Sequence, residues 1–160
     1  MKQILTPEQA VTRAGQFHEN EERIVLAGGC FDILHVGHAQ FLEKAKAAGD
    51  TLFVFIESDA HIKQLKGENR PINNQQDRAY LLSQLRSVDY VILLPDQAED
   101  TFYDDLINRL KPAIIATTAG DTHRSHKERQ AAHIGAKVED VLLPVHNQST
   151  TKVLQLIHEE

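Results

Sequence analysis

The segment GGCFDILHVGH, Gly28 to His38, decides how this chain is read. It leaves a short β-prone run, Arg23 to Ala27 (RIVLA), and enters a helix expected over His38 to Ala48. In that helix Phe41, Leu42, Ala45 and Ala48 form one stripe, and Gly49 is the stop. One glycine would suffice for a turn, and two histidines three residues apart are rarely needed for packing. Gly28 and Gly29 open backbone conformations closed to other residues and clear side chains from the path of a ligand, and Gly37 does the same between the histidines. With His38 at the helix start, free N–H groups and the positive end of the helix dipole face the loop, which suits a phosphate chain. His35 and His38 are each expected to donate a hydrogen bond to a phosphate oxygen, with Lys44 or Lys46 of the following helix reaching the same group. The plainer reading, a tight turn beside a surface histidine, is weakened by the position of the segment just after the first expected strand.

Working outward, Thr6-Pro7-Glu8-Gln9 predicts a capped helix to about Glu19, with Gln9 completing a capping box. Thr51 to Glu57 (TLFVFIE) is apolar at nearly every position, as in a strand covered on both faces. A loop holding LKGENRPIN follows, then a helix over Asn74 to Arg86, a strand over Tyr90 to Leu94, a helix over Asp100 to Leu110 and a strand over Ala113 to Thr117. The remaining elements are a helix over His123 to His133, a strand over Lys137 to Leu143 and a last helix over Ser149 to His158. Strands alternating with helices at short intervals imply a parallel sheet with right-handed crossovers. The expectation is one α/β, Rossmann-like domain over residues 1–160: a five-stranded parallel sheet with helices on both faces in residues 23–160, preceded by a helical extension, residues 1–22. Ligands in such sheets collect at the carboxyl ends of the strands, where the strand order reverses, and GGCFDILHVGH falls at that edge.

Composition restricts the function classes. The chain has 160 residues, 41% hydrophobic and 25% charged, ordinary for a globular domain. No apolar run approaches 18 residues and no signal-type segment opens the chain, so neither a membrane nor export is expected. The one cysteine, Cys30, excludes an internal disulfide and fits the reducing cytoplasm. A net charge of −6 without a dense Lys/Arg cluster argues against nucleic acid as a partner, while leaving room for a small polyanion held by local cations.

The pattern G-x-F-D-x-x-H-x-G-H, here Gly29, Phe31, Asp32, His35, Gly37 and His38, resembles the signature of the cytidylyltransferase-like nucleotidyltransferases. Further stretches are similar to that family: Lys46-Ala47-Ala48-Gly49-Asp50 to its K-x-x-G-D, Glu57-Ser58-Asp59 to its N-S-D, and Ser149-Thr150-Thr151-Lys152 to the S-T-T opening its last helix. Lys66-Gly67-Glu68-Asn69-Arg70-Pro71-Ile72-Asn73 resembles a loop of the heptose-phosphate adenylyltransferase branch, and Asp77-Arg78 stands where that branch has an acid or amide followed by arginine. The resemblance covers about residues 23–157.

What it implies is transfer of a nucleotidyl group from a nucleoside triphosphate to a phosphate or an alcohol, releasing pyrophosphate. A phosphate nucleophile is already ionised near neutral pH, so catalysis reduces to holding two anions in line and neutralising charge. The resemblance implies His38 on the α-phosphate, His35 beside it and Lys46 over the leaving phosphates. It places Gly29, Cys30, Phe31, Gly120, Asp121, Ser149, Thr150 and Thr151 around the nucleotide, and Asp32, Asp59, Lys66 and Arg78 around the acceptor. Cys30 is a small packing residue there, since the chemistry needs no thiol. Magnesium is the implied cofactor, bridging triphosphate oxygens, and a homodimer the implied assembly.

Two departures bear on the branch. Its V-K-G-G-D reads Thr117-Thr118-Ala119-Gly120-Asp121 here, so the lysine is absent, leaving His123, Arg124 or Lys127 to replace it. The arginine that precedes S-T-T in glycerol-phosphate cytidylyltransferases is also absent, which argues against CTP. The leading expectation is AMP transfer from ATP to a sugar 1-phosphate, such as D-glycero-β-D-manno-heptose 1-phosphate. A CTP-dependent cytidylyltransferase of the glycerol-3-phosphate type and a flavin-type (FAD-synthetase-like) adenylyltransferase stay open as alternatives. So does a non-catalytic nucleotide- or metal-binding protein, for which nine histidines, with His123 and His126 spaced H-x-x-H, are the motive.

Overall fold

In the computed structural model, which describes residues 3–96, 98–143, 152 and 154–155, six parallel strands form one sheet in the order β1-β4-β3-β2-β5-β6. The strands are β1 (Gln3–Leu5), β2 (Ile24–Gly29), β3 (Thr51–Ile56), β4 (Tyr90–Leu93), β5 (Ile114–Thr118) and β6 (Lys137–Leu142). The helices are α1 (Pro7–Glu19), α2 (Val36–Ala47), α3 (Asp59–Lys66), α4 (Gln75–Ser83), α5 (Asp100–Leu110) and α6 (Arg124–Ile134).

Alternation along the strands sorts the core into two layers. Ile24 and Leu26 of β2, Phe53 and Phe55 of β3 and Ile92 of β4 pack with α1, α5 and α6 through Ala10, Ala14, Leu106, Leu110 and Ala131. Val25 and Ala27, Leu52, Val54 and Ile56, and Val91 face the other way, against Leu42 and Ala45 of α2 and Ala79 and Leu82 of α4. Every residue of β3 is buried, as its unbroken apolar run predicts. The sheet therefore has helices on both faces, and the order of strands reverses between β2 and β5: β3 and β4 follow outward beyond β2, and β6 on the other side beyond β5.

Four details differ from the sequence expectation. The sheet has six strands rather than five: Gln3, Ile4 and Leu5 pair with Tyr90, Val91 and Ile92 at the sheet edge. Three residues are too few to carry a period-2 signal, so nothing marked them as a strand. The second helix starts at Val36 with His35 as its N-cap, two residues earlier than expected. A helix unforeseen in the sequence, α3, is capped by Ser58, whose Oγ accepts from the His61 N–H at 3.1 Å. Gly28 and Gly29 are the last residues of β2 and neither has a positive φ, so they make no turn. Gly37 lies buried in the first turn of α2, again with no positive φ. The first helix matches its prediction, with both capping-box bonds of Thr6 and Gln9 formed. Among the described residues no helix is long and apolar enough to cross a membrane.

Candidate active site

A cavity of about 450 Å³ opens at the carboxyl ends of β2 and β5, where the strand order reverses. Its size is that of a small-molecule site. On one side stands the loop from Gly28 to His38, on the other the loop after Thr117, and Lys66 and Lys127 line it from α3 and α6.

The β2 loop is held in an uncommon backbone conformation. Phe31 has φ 48°, in the left-handed region that a bulky side chain rarely adopts. Its ring turns back over Gly29, where a Cβ would lie 3.1 Å from the ring edge, so a larger residue at 29 would make the ring shift by a few tenths of an ångström. The same ring meets His38 edge-on, with centroids 5.2 Å apart.

His35 and His38, three residues apart across the α2 N-terminus, stack with centroids 3.8 Å apart and planes 25° apart. Burial, then the neighbouring His35 and Lys66, lowers the His38 pKa to about 4, and burial lowers that of His35. Both rings are therefore neutral near pH 7. Their Nδ1 atoms are shut off from solvent and have no hydrogen-bond partner among the described residues. No side chain caps the α2 N-terminus. Two neutral imidazoles thus line the cavity beside an uncapped helix N-terminus, an arrangement whose free N–H groups favour negative charge.

The acceptor-side residues divide into those that face the cavity and those that hold it up. Asp32 lines the cavity yet is 1% exposed. Burial opposes its ionisation, but the N–H groups of Asn73 and Ile72 and the Arg70 guanidinium outweigh burial and keep its carboxyl below the usual range. Its oxygens accept from Arg70 Nε at 2.7 Å, Ile72 N at 2.9 Å and Asn73 N at 2.9 Å, so it latches the Arg70–Asn73 loop and has little acceptor capacity left for a ligand. Arg78 corrects the sequence reading more sharply. It is fully buried and donates to Asn73 O at 3.0 Å, Cys30 O at 2.7 Å, Glu57 O at 2.8 Å and Asp59 Oδ1 at 2.6 Å. Its guanidinium ties the ends of β2 and β3 to the α3 and α4 entrances and cannot also contact an acceptor phosphate. Asp59 is correspondingly spent on Arg78, although half-exposed.

Lys46 is also displaced from its expected role. It lies eight residues beyond His38 on α2, about 12 Å along the axis, beside the amino ends of β3 and β4. Its Nζ donates to Asp89 Oδ2 at 2.6 Å and to the Asp50 carbonyl. Lys66 is the cation that reaches the cavity from that side of the site. Cys30 lines the cavity with its thiol pKa pushed up by burial, which disfavours the thiolate.

On the β5 side, Gly120 takes φ 82°, the left-handed turn that its glycine permits. Burial raises the cost of ionising Asp121, but Lys127, Thr117 and the His123 N–H bring its pKa down to about 2. Thr117 Oγ1 donates to Asp121 Oδ2 at 2.7 Å, and Lys127 Nζ donates to the same oxygen at 2.6 Å and to Thr117 Oγ1 at 3.1 Å. Of the three residues that remained to replace the missing loop lysine, Lys127 alone lines the cavity. Arg124 is paired outward with Glu128 and Asp140. No spacing rule ties Asp121 to Lys127; the turn from Asp121 to Arg124, whose N–H donates to the Asp121 carbonyl at 3.2 Å, and the first turn of α6 bring them together. His123 and His126 form no cluster of three potential metal ligands, nor does any other group among the described residues. Ser149, Thr150 and Thr151 lie outside the described residues, as does most of the expected last helix.

The family described as cytidylyltransferase-like matches residues 26–156. The bifunctional protein HldE of Aliarcobacter butzleri is 47% identical over 112 residues, 70% of this chain and 23% of that protein. HldE of a Nitratiruptor species is 45% identical over 138 residues, 86% of this chain and 28% of that protein. The chain thus spans about a quarter of the length of the curated relatives it matches. Among solved structures, the lipopolysaccharide core biosynthesis protein from Thermoplasma volcanium superposes with a TM-score of 0.62 at 26% identity, over 80% of this chain and 99% of that one. Pantoate-beta-alanine ligase from Francisella tularensis shares the fold, with a TM-score of 0.66 at 15% identity, over 100% of this chain and 79% of that one.

Proposed function

The chain belongs to the cytidylyltransferase-like family, and from that premise we propose that it transfers AMP from ATP to a sugar 1-phosphate, of the heptose 1-phosphate kind, with release of pyrophosphate. The observation that carries the reading is the stacked, neutral His35–His38 pair at the uncapped N-terminus of α2, inside the cavity. Such a pair offers hydrogen bonds to phosphate oxygens and no covalent nucleophile. In the reaction an acceptor phosphate oxygen attacks the α-phosphorus of ATP. A new P–O bond forms there as the bond to the bridging oxygen breaks, and pyrophosphate leaves with its electrons. No proton has to be removed from a phosphate dianion, so no general base is needed. His38, His35 and the helix N–H groups bind the charge that develops on the α-phosphate. Lys66 attracts the acceptor, and Phe31 and the loop at Gly120 form the walls beside the nucleotide.

Magnesium fits as a companion of ATP rather than as a resident ion. The carboxylates lining the cavity, Asp32 and Asp121, are already occupied by protein donors. Magnesium favours phosphate oxygens and retained waters, and when bound it supplies neutralisation of the triphosphate charge.

The choice of a sugar phosphate in the heptose branch is supported by the K-G-E-N-R-P-I-N loop, residues 66–73, and by the identity to HldE proteins. Incubation with ATP or CTP and a panel of sugar 1-phosphates, read by pyrophosphate release, tests it. The expected result is turnover with ATP and a heptose 1-phosphate; CTP outperforming ATP overturns the nucleotide assignment.

A further inference from the structure

We infer that Lys127 is the cation that binds the nucleotide's phosphates from the β5 side of the cavity, in place of a lysine in the loop after β5. The inference deepens the reading above and rests on it.

The electrostatics of the cavity point to this residue. Its histidines are neutral near pH 7, and the buried guanidiniums of Arg70 and Arg78 do not line it. Lys66 and Lys127 are the full positive charges lining the cavity among the described residues, and they enter from different walls. Lys127 also stands near the phosphate-binding motif. Strands β2 and β5 pair Val25 with Ile114 and Leu26 with Ile115. Thr117, two residues further along β5, lines the same cavity as Gly28 at the end of β2. Lys127 Nζ is 3.1 Å from Thr117 Oγ1.

The ammonium is held for such a task. It has three N–H donors. Asp121 Oδ2 and Thr117 Oγ1 accept two of them, and the third has no partner among the described residues. Thr117, fully buried, fixes Asp121, and Asp121 fixes Lys127, so the charge is positioned before a ligand arrives. Thr118, at the position closest to the expected loop lysine, brings no charge.

Binding of ATP with magnesium and of adenosine to the full chain and to Lys127→Met and Lys127→Gln variants, followed by ligand-observed NMR titration with melting curves as the folding control, tests the inference. Glutamine retains hydrogen bonding to Asp121 without the charge. The expected result is ATP binding weakened about tenfold or more in both variants, with adenosine affinity within about twofold of the unmodified chain. Unchanged ATP affinity overturns the inference, and so does an equal loss for adenosine, which would make Lys127 a support for the loop. Both of these outcomes leave the proposed function standing. An unmodified chain that binds no nucleoside triphosphate overturns the function reading and the inference together.

Discussion

The imidazoles of His35 and His38 lie one upon the other, 3.8 Å between centroids, at the N-terminus of α2, and the Nδ1 of each is buried without a partner. Two charged rings could not be held so closely without repulsion, and the lowered pKa values keep both neutral. The stack places hydrogen-bonding edges at a helix end that already favours anions. An unmet buried polar atom costs roughly 1–3 kcal/mol, so the stack lowers the stability of the fold.

Replacing His38 with alanine is therefore expected to lower turnover by about 10²–10³, the usual consequence of deleting one preorganised donor. The melting temperature should stay level or rise. His35→Ala should lose less, since its ring is the outer member of the pair against Phe31. Steady-state pyrophosphate release beside a melting curve checks both; turnover near that of the unmodified chain in His38→Ala would remove it from catalysis.

The histidines also predict a pH dependence. His38 is depressed from the ordinary 6.5 to about 4 in the folded chain. Between those values the unfolded chain binds the extra proton and the folded chain does not, so this contribution makes stability fall as pH drops from 6.5 toward 4. His38→Gln should flatten that part of the stability profile. Turnover should instead fall below about pH 6 because the acceptor phosphate gains its second proton there. NMR titration of the His38 ring separates the two, and a midpoint near 6.5 would contradict the burial argument.

The sequence made the scaffold legible because its signals were local and long. The unbroken apolar run of β3 and the capping box of α1 each announced their element. The GGCFDILHVGH segment announced the cavity edge and both histidines. What escaped was tertiary. Gln3–Leu5 gains strand structure only by pairing with β4. Arg78 reads as a phosphate ligand until Cys30, Glu57 and Asn73 are seen to surround it with carbonyls. Lys127 and Asp121 meet through the turn from Asp121 to Arg124 and the first turn of α6.

Lys46 supplies a test of that distinction. Its partly exposed pair with Asp89 is worth about 0–1 kcal/mol after solvent screening, and it is remote from the cavity. Lys46→Ala should leave turnover within about twofold, with a small loss of stability. Lys66→Ala, in the same assay, should raise the KM for the acceptor about tenfold or more through loss of a charge-assisted hydrogen bond. The reverse ranking would restore Lys46 to the catalytic group.

Arg78 tests whether the loops that shape the cavity depend on one buried fork. Truncation to alanine leaves the carbonyls of Cys30, Glu57 and Asn73 without their donor, each loss costing roughly 1–3 kcal/mol. Asp59, half-exposed, can turn to water, so its share of the penalty is smaller. The expected total is about 3 kcal/mol or more, or a fall of roughly 6–12 °C in melting temperature for a chain of this size. Arg78→Lys should recover little of it, because an ammonium cannot span directions set by a planar guanidinium. A role in holding the acceptor predicts the opposite pattern: melting unchanged, the KM for the acceptor raised, and partial recovery by lysine, which can still attract a phosphate. Since the side chain has no exposed surface and each of its nitrogens already donates to a protein oxygen, the first pattern is the one expected.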